Sequence, residues 1–141
     1  MAGRTFQLQV VTPDRIVLDA EVVSLVAPGV EGYLGVLPNH APMVTELGVG
    51  ELRYTTPDGD ELRLAVSGGF MQVAGDRTTV LADSAERADQ IDVERARAAL
   101  QRASDERHEL EAHPDARRLE EVDAEIQRAR NRLKVAGAPG F

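Results

Sequence analysis

The residues that most clearly suggest a chemical role are basic side chains near the end of the chain. Between residues 126 and 141 there are Arg128, Arg130, Arg132 and Lys134, and there is no acidic residue. A guanidinium group presents a planar fork of donors that suits phosphate oxygens, so clustered arginines are typical of anion sites. Cations near the C-terminal end of a helix also offset the helix dipole, and this ordinary role alone would explain the group.

No catalytic constellation accompanies these arginines. The chain has no cysteine, which excludes disulfides, thiolate metal sites and thiol nucleophiles. A phosphate-cradling Gly-x-x-x-x-Gly-Lys loop is missing, and the only lysine, Lys134, lies in the basic tail. His40, between Asn39 and Ala41, is more typical of a hydrogen-bonded loop residue than of a general base. We therefore predict that the chain is not an enzyme and holds no metal.

Length and charge limit the class of protein. The 141 residues have room for one domain with a sizeable core and a helical appendage. The net charge is −8, and residues 1–87 carry 12 acidic against 6 basic side chains. An acidic domain repels phosphate backbones, so we expect no nucleic-acid partner. We also expect neither a membrane span nor a signal peptide, because no apolar run is long enough for either.

The first part of the chain shows the pattern of an all-β domain. Phe6, Leu8 and Val10 alternate with polar neighbours, and similar short runs follow, separated by turn residues. Residues 56–60, Thr-Pro-Asp-Gly-Asp, are a strong hairpin signal because proline presets the first turn position and glycine accepts positive φ. Residues 32–42 read as a strand followed by a rigid corner with two prolines. The spacing predicts a β-sandwich or barrel.

From Ala82 onward the composition changes, and the next fifty residues contain no glycine and a single proline. Two stripes with the three-and-four spacing of amphipathic helices follow. Their members are Val93, Ala96, Leu100, Ala103, Arg107 and Leu110, then Leu119, Val122, Ile126, Ala129, Leu133 and Ala136. Asp92 is suited to cap the first helix, and residues 112–115 form a short breaker, which predicts an antiparallel pair. We place the two domains at residues 1–86 and 87–141.

An antiparallel hairpin has a consequence for the arginines. If the chain turns near His113, position 95 lies opposite about position 131. Arg95, Arg128 and Arg132 can then converge on one side of the hairpin, where clustered cations favour an anionic ligand.

Taken together, these segments resemble the epsilon subunit of the rotary F-type ATP synthase over essentially the whole chain. The matching segments are residues 11–13, 32–42 (Gly-Tyr-Leu-Gly-Val-Leu-Pro-Asn-His-Ala-Pro), 47–50, 67–70 (Ser-Gly-Gly-Phe), 81–86 and 91–92. The resemblance implies an α+β protein in which a ten-stranded N-terminal β-sandwich precedes a C-terminal antiparallel two-helix hairpin. This agrees with the sandwich and hairpin that the periodicity predicts.

The resemblance also implies a function. It implies a non-catalytic central-stalk subunit that couples the gamma subunit and the c-ring for proton-driven ATP synthesis and ion transport. The helical region would regulate ATP hydrolysis, with extended C-terminal helices reaching the alpha/beta catalytic hexamer. The implied location is peripheral, at the cytoplasmic face of the cell membrane.

Part of the pattern resembles those epsilon subunits that bind ATP as a regulatory ligand. The ATP-binding residues that this resemblance implies are Glu86, Ile91, Asp92, Arg95, Ala96, Arg102, Arg128 and Arg132. Asp92 would cap its helix and lie near the adenine, while the arginines would hold the triphosphate. No catalytic cofactor is expected.

Two other interpretations remain. The chain could be an independent β-sandwich and coiled-coil interaction module, which predicts no association with a gamma subunit. It could also be a small nucleotide hydrolase with Glu86 or Asp92 as base, and phosphate release from ATP by the pure protein would establish this. Neither accounts for residues 32–42 and 67–70 together.

Overall fold

The computed structural model describes residues 4–138, and these divide into two compact units, one ending at Ala88 and one beginning at Asp89. No helix in this part of the chain has the length and apolar character needed to cross a bilayer.

The first unit is built from β-strands. They are β1 (Phe6–Val11), β2 (Ile16–Val22), β3 (Ser24–Gly29), β4 (Gly32–Val36), β5 (Met43–Glu46), β6 (Val49–Thr55), β7 (Glu61–Ala74) and β8 (Arg77–Arg87). Seven strands follow the order β2-β1-β8-β7-β6-β3-β4, and β5 pairs with β7. The β1–β8 pair is parallel and the other pairs are antiparallel.

One apolar core lies inside this sheet. Inward-facing positions alternate along the strands, as the burial pattern of β1 shows, and buried side chains from seven strands meet there. The largest fully buried members are Leu8, Leu25, Leu47, Leu52, Leu64 and Met71. The α+β class and the sandwich-like N-terminal sheet with two C-terminal helices are confirmed.

The strand count differs from the expected ten. Eight strands are present in the described residues, because β7 and β8 are long and each continues without interruption. β7 pairs with β6 up to Ser67 and with β5 from Phe70 onward. Between them Gly68 and Gly69 have φ of 70° and 108°, which lets the strand bend without ending. Counting each long strand as two halves would restore the larger number.

Two predicted turns are confirmed, and the predicted end of the last strand is wrong. The Thr56 N–H donates to the Asp60 carbonyl at 2.9 Å, which closes the predicted hairpin turn. The predicted corner after β4 is closed by the His40 N–H, which donates to the Leu37 carbonyl at 3.1 Å. The change in composition at Ala82 predicts that the last strand ends near Leu81, but β8 continues to Arg87 because its backbone remains paired with β7.

The second unit is a helical hairpin preceded by a short 3₁₀ turn, Ala88–Gln90. Its helices are α1 (Val93–Ala112) and α2 (Ala116–Ala136). The predicted N-cap is confirmed, since the Asp92 carboxylate accepts from the Arg95 N–H at 3.0 Å. Gly137 ends α2 in the left-handed conformation. Residues 139–141, Pro-Gly-Phe, predict a frayed end, and they lie outside the described residues.

A thin apolar seam joins the two helices, as the stripes predict. Towards the chain terminus Ala96 packs with Leu133 and Ala138, with Val93 and Leu100 beside them. Towards the loop a second cluster joins Ala103, Val122 and Ile126. These contacts set α1 and α2 antiparallel.

Candidate functional site

Helical geometry groups the basic side chains of the hairpin by face. With 3.6 residues per turn, positions 95, 99, 102 and 106 share one side of α1, and positions 118, 121, 125, 128 and 132 share one side of α2. Arg118 Nε and Nη2 both donate to the Glu106 carboxylate, which sets these two sides next to each other. We call the part of this side that carries Arg95, Arg102, Arg128 and Arg132 the arginine face.

The arginine face lies at the terminal half of the hairpin. Ala96 packs against Leu133 in the seam, so Arg95 and Arg132 are at a similar level, as the hairpin geometry predicts. Arg102 lies about two turns nearer the loop, close to the level of Arg128. The structure therefore brings these four sequence-predicted residues to one side of the helix pair.

The side chains on this face differ in burial. Arg95, Arg102 and Arg128 are exposed, while Arg132 is partly buried. Within residues 4–138, the guanidinium groups of Arg95, Arg102 and Arg128 have no ion-pair or hydrogen-bond partner. Three cations on one face are thus left to solvent or to a ligand.

In the loop half of the same side, the charged side chains are paired with one another. Arg118 Nη2 donates to Glu106 at 2.6 Å, and its Nη1 donates to Glu121 at 2.9 Å and to Glu125 at 3.4 Å. These hydrogen bonds raise the pKa of Arg118 above its ordinary value, and the bond from Arg118 lowers the pKa of Glu106. We call these four residues the Arg118 cluster.

The other side of the hairpin has a groove of about 550 Å³. Arg107 Nε donates to Asp123 Oδ1 at 2.7 Å on one wall, and this bond raises the pKa of Arg107. Ile126, Gln127 and Arg130 complete the lining. Arg107 had been placed in the apolar stripe, but its side chain is 45% exposed because it turns out of the seam to reach Asp123.

The remaining predicted site residues are not all accessible. Glu86 is the penultimate residue of β8 in the first unit. Ile91 is buried just before α1, and Asp92 is occupied as the helix cap. Ala96 is fully buried in the seam, so in this conformation its side chain cannot touch a ligand. Its small size instead lets α1 and α2 approach closely.

An exposed apolar row on the first unit was not predicted. Strand register sets Phe70 opposite Leu81, Leu81 beside Val11, and Val11 opposite Ile16, so their side chains share one face of the sheet. Phe70, Leu81 and Ile16 are each more than half exposed, and Val44 on β5 is 67% exposed near the same row. Exposed apolar residues gathered in this way mark interaction surfaces.

Family comparisons cover nearly the whole chain. The β-sandwich domain of the ATP synthase delta/epsilon chain matches residues 5–88, and the long α-helix domain of the same chain matches residues 89–137. Together they span both units.

Individual relatives agree with this assignment. The "ATP synthase epsilon chain" of Moorella thermoacetica is 45% identical over 134 residues, covering 95% of this chain and 98% of that protein. The protein of the same name from Desulforamulus reducens is 49% identical over 134 residues, with the same coverage.

Two solved structures show the same fold. A chain of the Euglena gracilis mitochondrial ATP synthase (OSCP/F1/c-ring in rotational state 1) superposes with a TM-score of 0.79, at 22% identity, over 96% of this chain and 83% of that chain. One from the central stalk and c-ring of the Tetrahymena thermophila mitochondrial enzyme has a TM-score of 0.52, at 13% identity, over 64% of this chain and 72% of that chain. The sandwich, the hairpin and these relatives lead to one conclusion: the chain belongs to the ATP synthase epsilon family.

Proposed function

We propose that this epsilon subunit couples the gamma subunit to the c-ring during proton-driven ATP synthesis, and that its hairpin restrains ATP hydrolysis in an ATP-sensitive way. It has no catalytic residues of its own in this proposal. The observation that carries the regulatory part is the arginine face, with three exposed guanidinium groups that have no partner among residues 4–138.

The ligand that fits this face is ATP in its triphosphate form. Arg95, Arg102, Arg128 and Arg132 offer donors from both helices to phosphate oxygens, so the bound anion bridges α1 and α2. Asp92 holds the start of α1 and lies near the adenine in this proposal. Ala96 contributes by permitting the close approach of the two helices.

The hairpin is held weakly enough to open. The terminal half of the seam relies on Ala96, Leu133 and Ala138, with Val93 and Leu100 partly buried beside them. Alanines bury little apolar area, and at roughly 25 cal/mol per Å² the closed state is only marginally favoured. ATP that binds only the closed hairpin stabilises it by RT ln(1 + [ATP]/Kd), about 2.7 kcal/mol at a hundredfold excess.

Opening supplies the inhibitory state. When ATP is scarce, α2 extends along the rotor, and its basic end meets acidic surfaces of the alpha/beta catalytic hexamer. That end carries Arg128, Arg130, Arg132 and Lys134. A charged helix placed there blocks hydrolytic rotation, and ATP restores the closed hairpin by population shift.

The apolar row supports the coupling part of the proposal. Phe70 and Leu81 are 55% and 54% exposed at the centre of the row, which suits an apolar docking partner, the gamma subunit. We expect Phe70→Glu with Leu81→Glu to abolish binding to gamma. Leu62→Glu, at an exposed leucine outside the row, is the control and should bind normally. Normal binding by the double variant would place the gamma contact elsewhere.

The location follows from these partners. A subunit that binds gamma and the c-ring sits at the membrane surface without entering it, which we propose to be the cytoplasmic face of the cell membrane. A nucleic-acid partner is not proposed, because the acidic first unit repels phosphate backbones.

Calorimetric titration tests ATP binding directly. The full chain should bind ATP with one-to-one stoichiometry, and a chain ending at Asp89 should not bind, because it lacks the arginine face. Equal binding by both chains would move the site to the first unit. If the full chain does not bind ATP, the regulatory proposal is refuted.

A further inference from the structure

We infer that Arg118 is a positioning residue for the arginine face: by engaging Glu106 and Glu125, it keeps these carboxylates from neutralising Arg102 and Arg128, which then stay available for phosphate. The inference rests on the proposed ATP site and adds a residue that lies outside it.

Along each helix, charges of opposite sign lie about one turn apart on this side of the hairpin. Glu106 is four residues after Arg102 on α1, and Glu125 is three residues before Arg128 on α2. Such pairs lie on one helix face within reach of each other and ordinarily form ion pairs. In this structure neither pair forms, and both glutamates instead turn to Arg118.

Arg118 is unusually well placed to hold these carboxylates. Its N–H groups engage Glu106 in a bidentate pair across the helices, and Nη1 is shared by Glu121 and Glu125 on its own helix. The side chain is 34% exposed, less than any of its three partners. The lowered pKa of Glu106 agrees with this arrangement.

Removal of Arg118 changes the charge next to the arginine face. Glu106 and Glu125 would be released one turn from Arg102 and Arg128, where they can form the local ion pairs. Each such pair occupies a guanidinium group that a phosphate needs, and the uncompensated carboxylates repel a triphosphate within a Debye length. Phosphate affinity should therefore fall although Arg118 never touches the ligand.

A purely mechanical role for Arg118 makes a different prediction. The Arg118–Glu106 pair also joins the helices, and its loss could loosen the hairpin. In that case Glu106→Gln, which breaks the same ionic link, would weaken ATP binding as Arg118→Met does. In our account Glu106→Gln removes a competitor and leaves affinity unchanged or higher.

The experiment is a calorimetric ATP titration of the full chain and its variants. Arg118→Met should weaken binding about fivefold, the scale of two local helix ion pairs that the phosphates must displace plus added local repulsion. Arg117→Met is the matched control. Arg117 is 92% exposed, and its Nε lies 3.9 Å from Glu121, too far for a hydrogen bond, so this variant should leave affinity within twofold. Adding Glu106→Gln to Arg118→Met should restore about half of the loss, because Glu125 still pairs with Arg128.

Three binding outcomes would overturn the inference. Equal losses of ATP affinity in Arg118→Met and Arg117→Met would show that the effect comes only from the lost positive charge. An Arg118→Met loss that Glu106→Gln does not repair, or a similar loss in Glu106→Gln alone, would make Arg118 a mechanical link.

A titration without ATP separates this inference from the proposed function. If the wild-type chain binds no ATP, the proposed function fails, and NMR titration of the Glu106 carboxyl still tests Arg118. In Arg118→Met the pKa of Glu106 should stay below its ordinary value because Arg102 replaces Arg118, and it should rise when Arg102→Met is added. An ordinary pKa already in Arg118→Met would overturn the inference.

Discussion

Loss of two arginines from the arginine face gives the sharpest mutational prediction. Arg128 and Arg132 lie one turn apart on α2 and face the same side as Arg95. A charge-assisted hydrogen bond contributes about 1.5–3 kcal/mol, and the lower end applies here because Arg128 is exposed. Replacing both with alanine should therefore cost about 3 kcal/mol of ATP binding, roughly 150-fold in Kd.

The chain offers a control with the same spacing and the same loss of charge. Arg130 and Lys134 are also one turn apart on α2, but they lie on the other flank, where Arg130 lines the groove beside Arg107. Alanine at both positions should change Kd only a few-fold through screened long-range attraction. Calorimetry on the two double variants compares them. Equal losses would refute the arginine face as a specific site, and unchanged affinity in the first variant would leave its arginines as helix-end charges.

Three further outcomes test the fold. A chain ending at Asp89 should remain a folded β domain by circular dichroism, because its core is made of side chains from Phe6 to Ala85 only, and an unfolded spectrum would contradict this. Thr78→Val should raise the free energy of unfolding by about 1 kcal/mol, since the Thr78 hydroxyl is buried without a partner in the described residues; a lower melting temperature would count against this. The hairpin should melt at a slightly lower temperature in acid, followed by circular dichroism, because an ion pair this exposed contributes little: Arg118 lowers the pKa of Glu106, so the contribution is complete above the unfolded carboxyl pKa of about 4.3 and is lost as the pH falls through the lower folded-state pKa. Glu106→Gln should remove that acid-dependent part.

Local signals predicted the hairpin well. The Asp92 cap, the breaker at residues 112–115 and the seam each depend on residues close in sequence, and side-chain periodicity is set by the helix itself. Convergence of Arg95 with Arg132 then follows from antiparallel packing alone.

Features that depend on distant partners could not be predicted. Residues 82–87 look polar and turn-like, yet they continue β8 because β7 supplies a ladder for them. The apolar row needs the register of β1, β7 and β8 at once. Which carboxylates Arg118 engages depends on how α1 and α2 align, so the sequence could place the arginines but not show which ones are occupied.

Hydrolysis by the assembled enzyme tests the central claim most directly. The ATP synthase is reconstituted with the full-length chain or with a chain ending at Asp89, and ATP hydrolysis is measured at low and at high ATP. We predict that the full-length enzyme is inhibited at low ATP and released at high ATP, while the shortened enzyme is active at both. Equal hydrolysis by the two enzymes at low ATP would contradict the account.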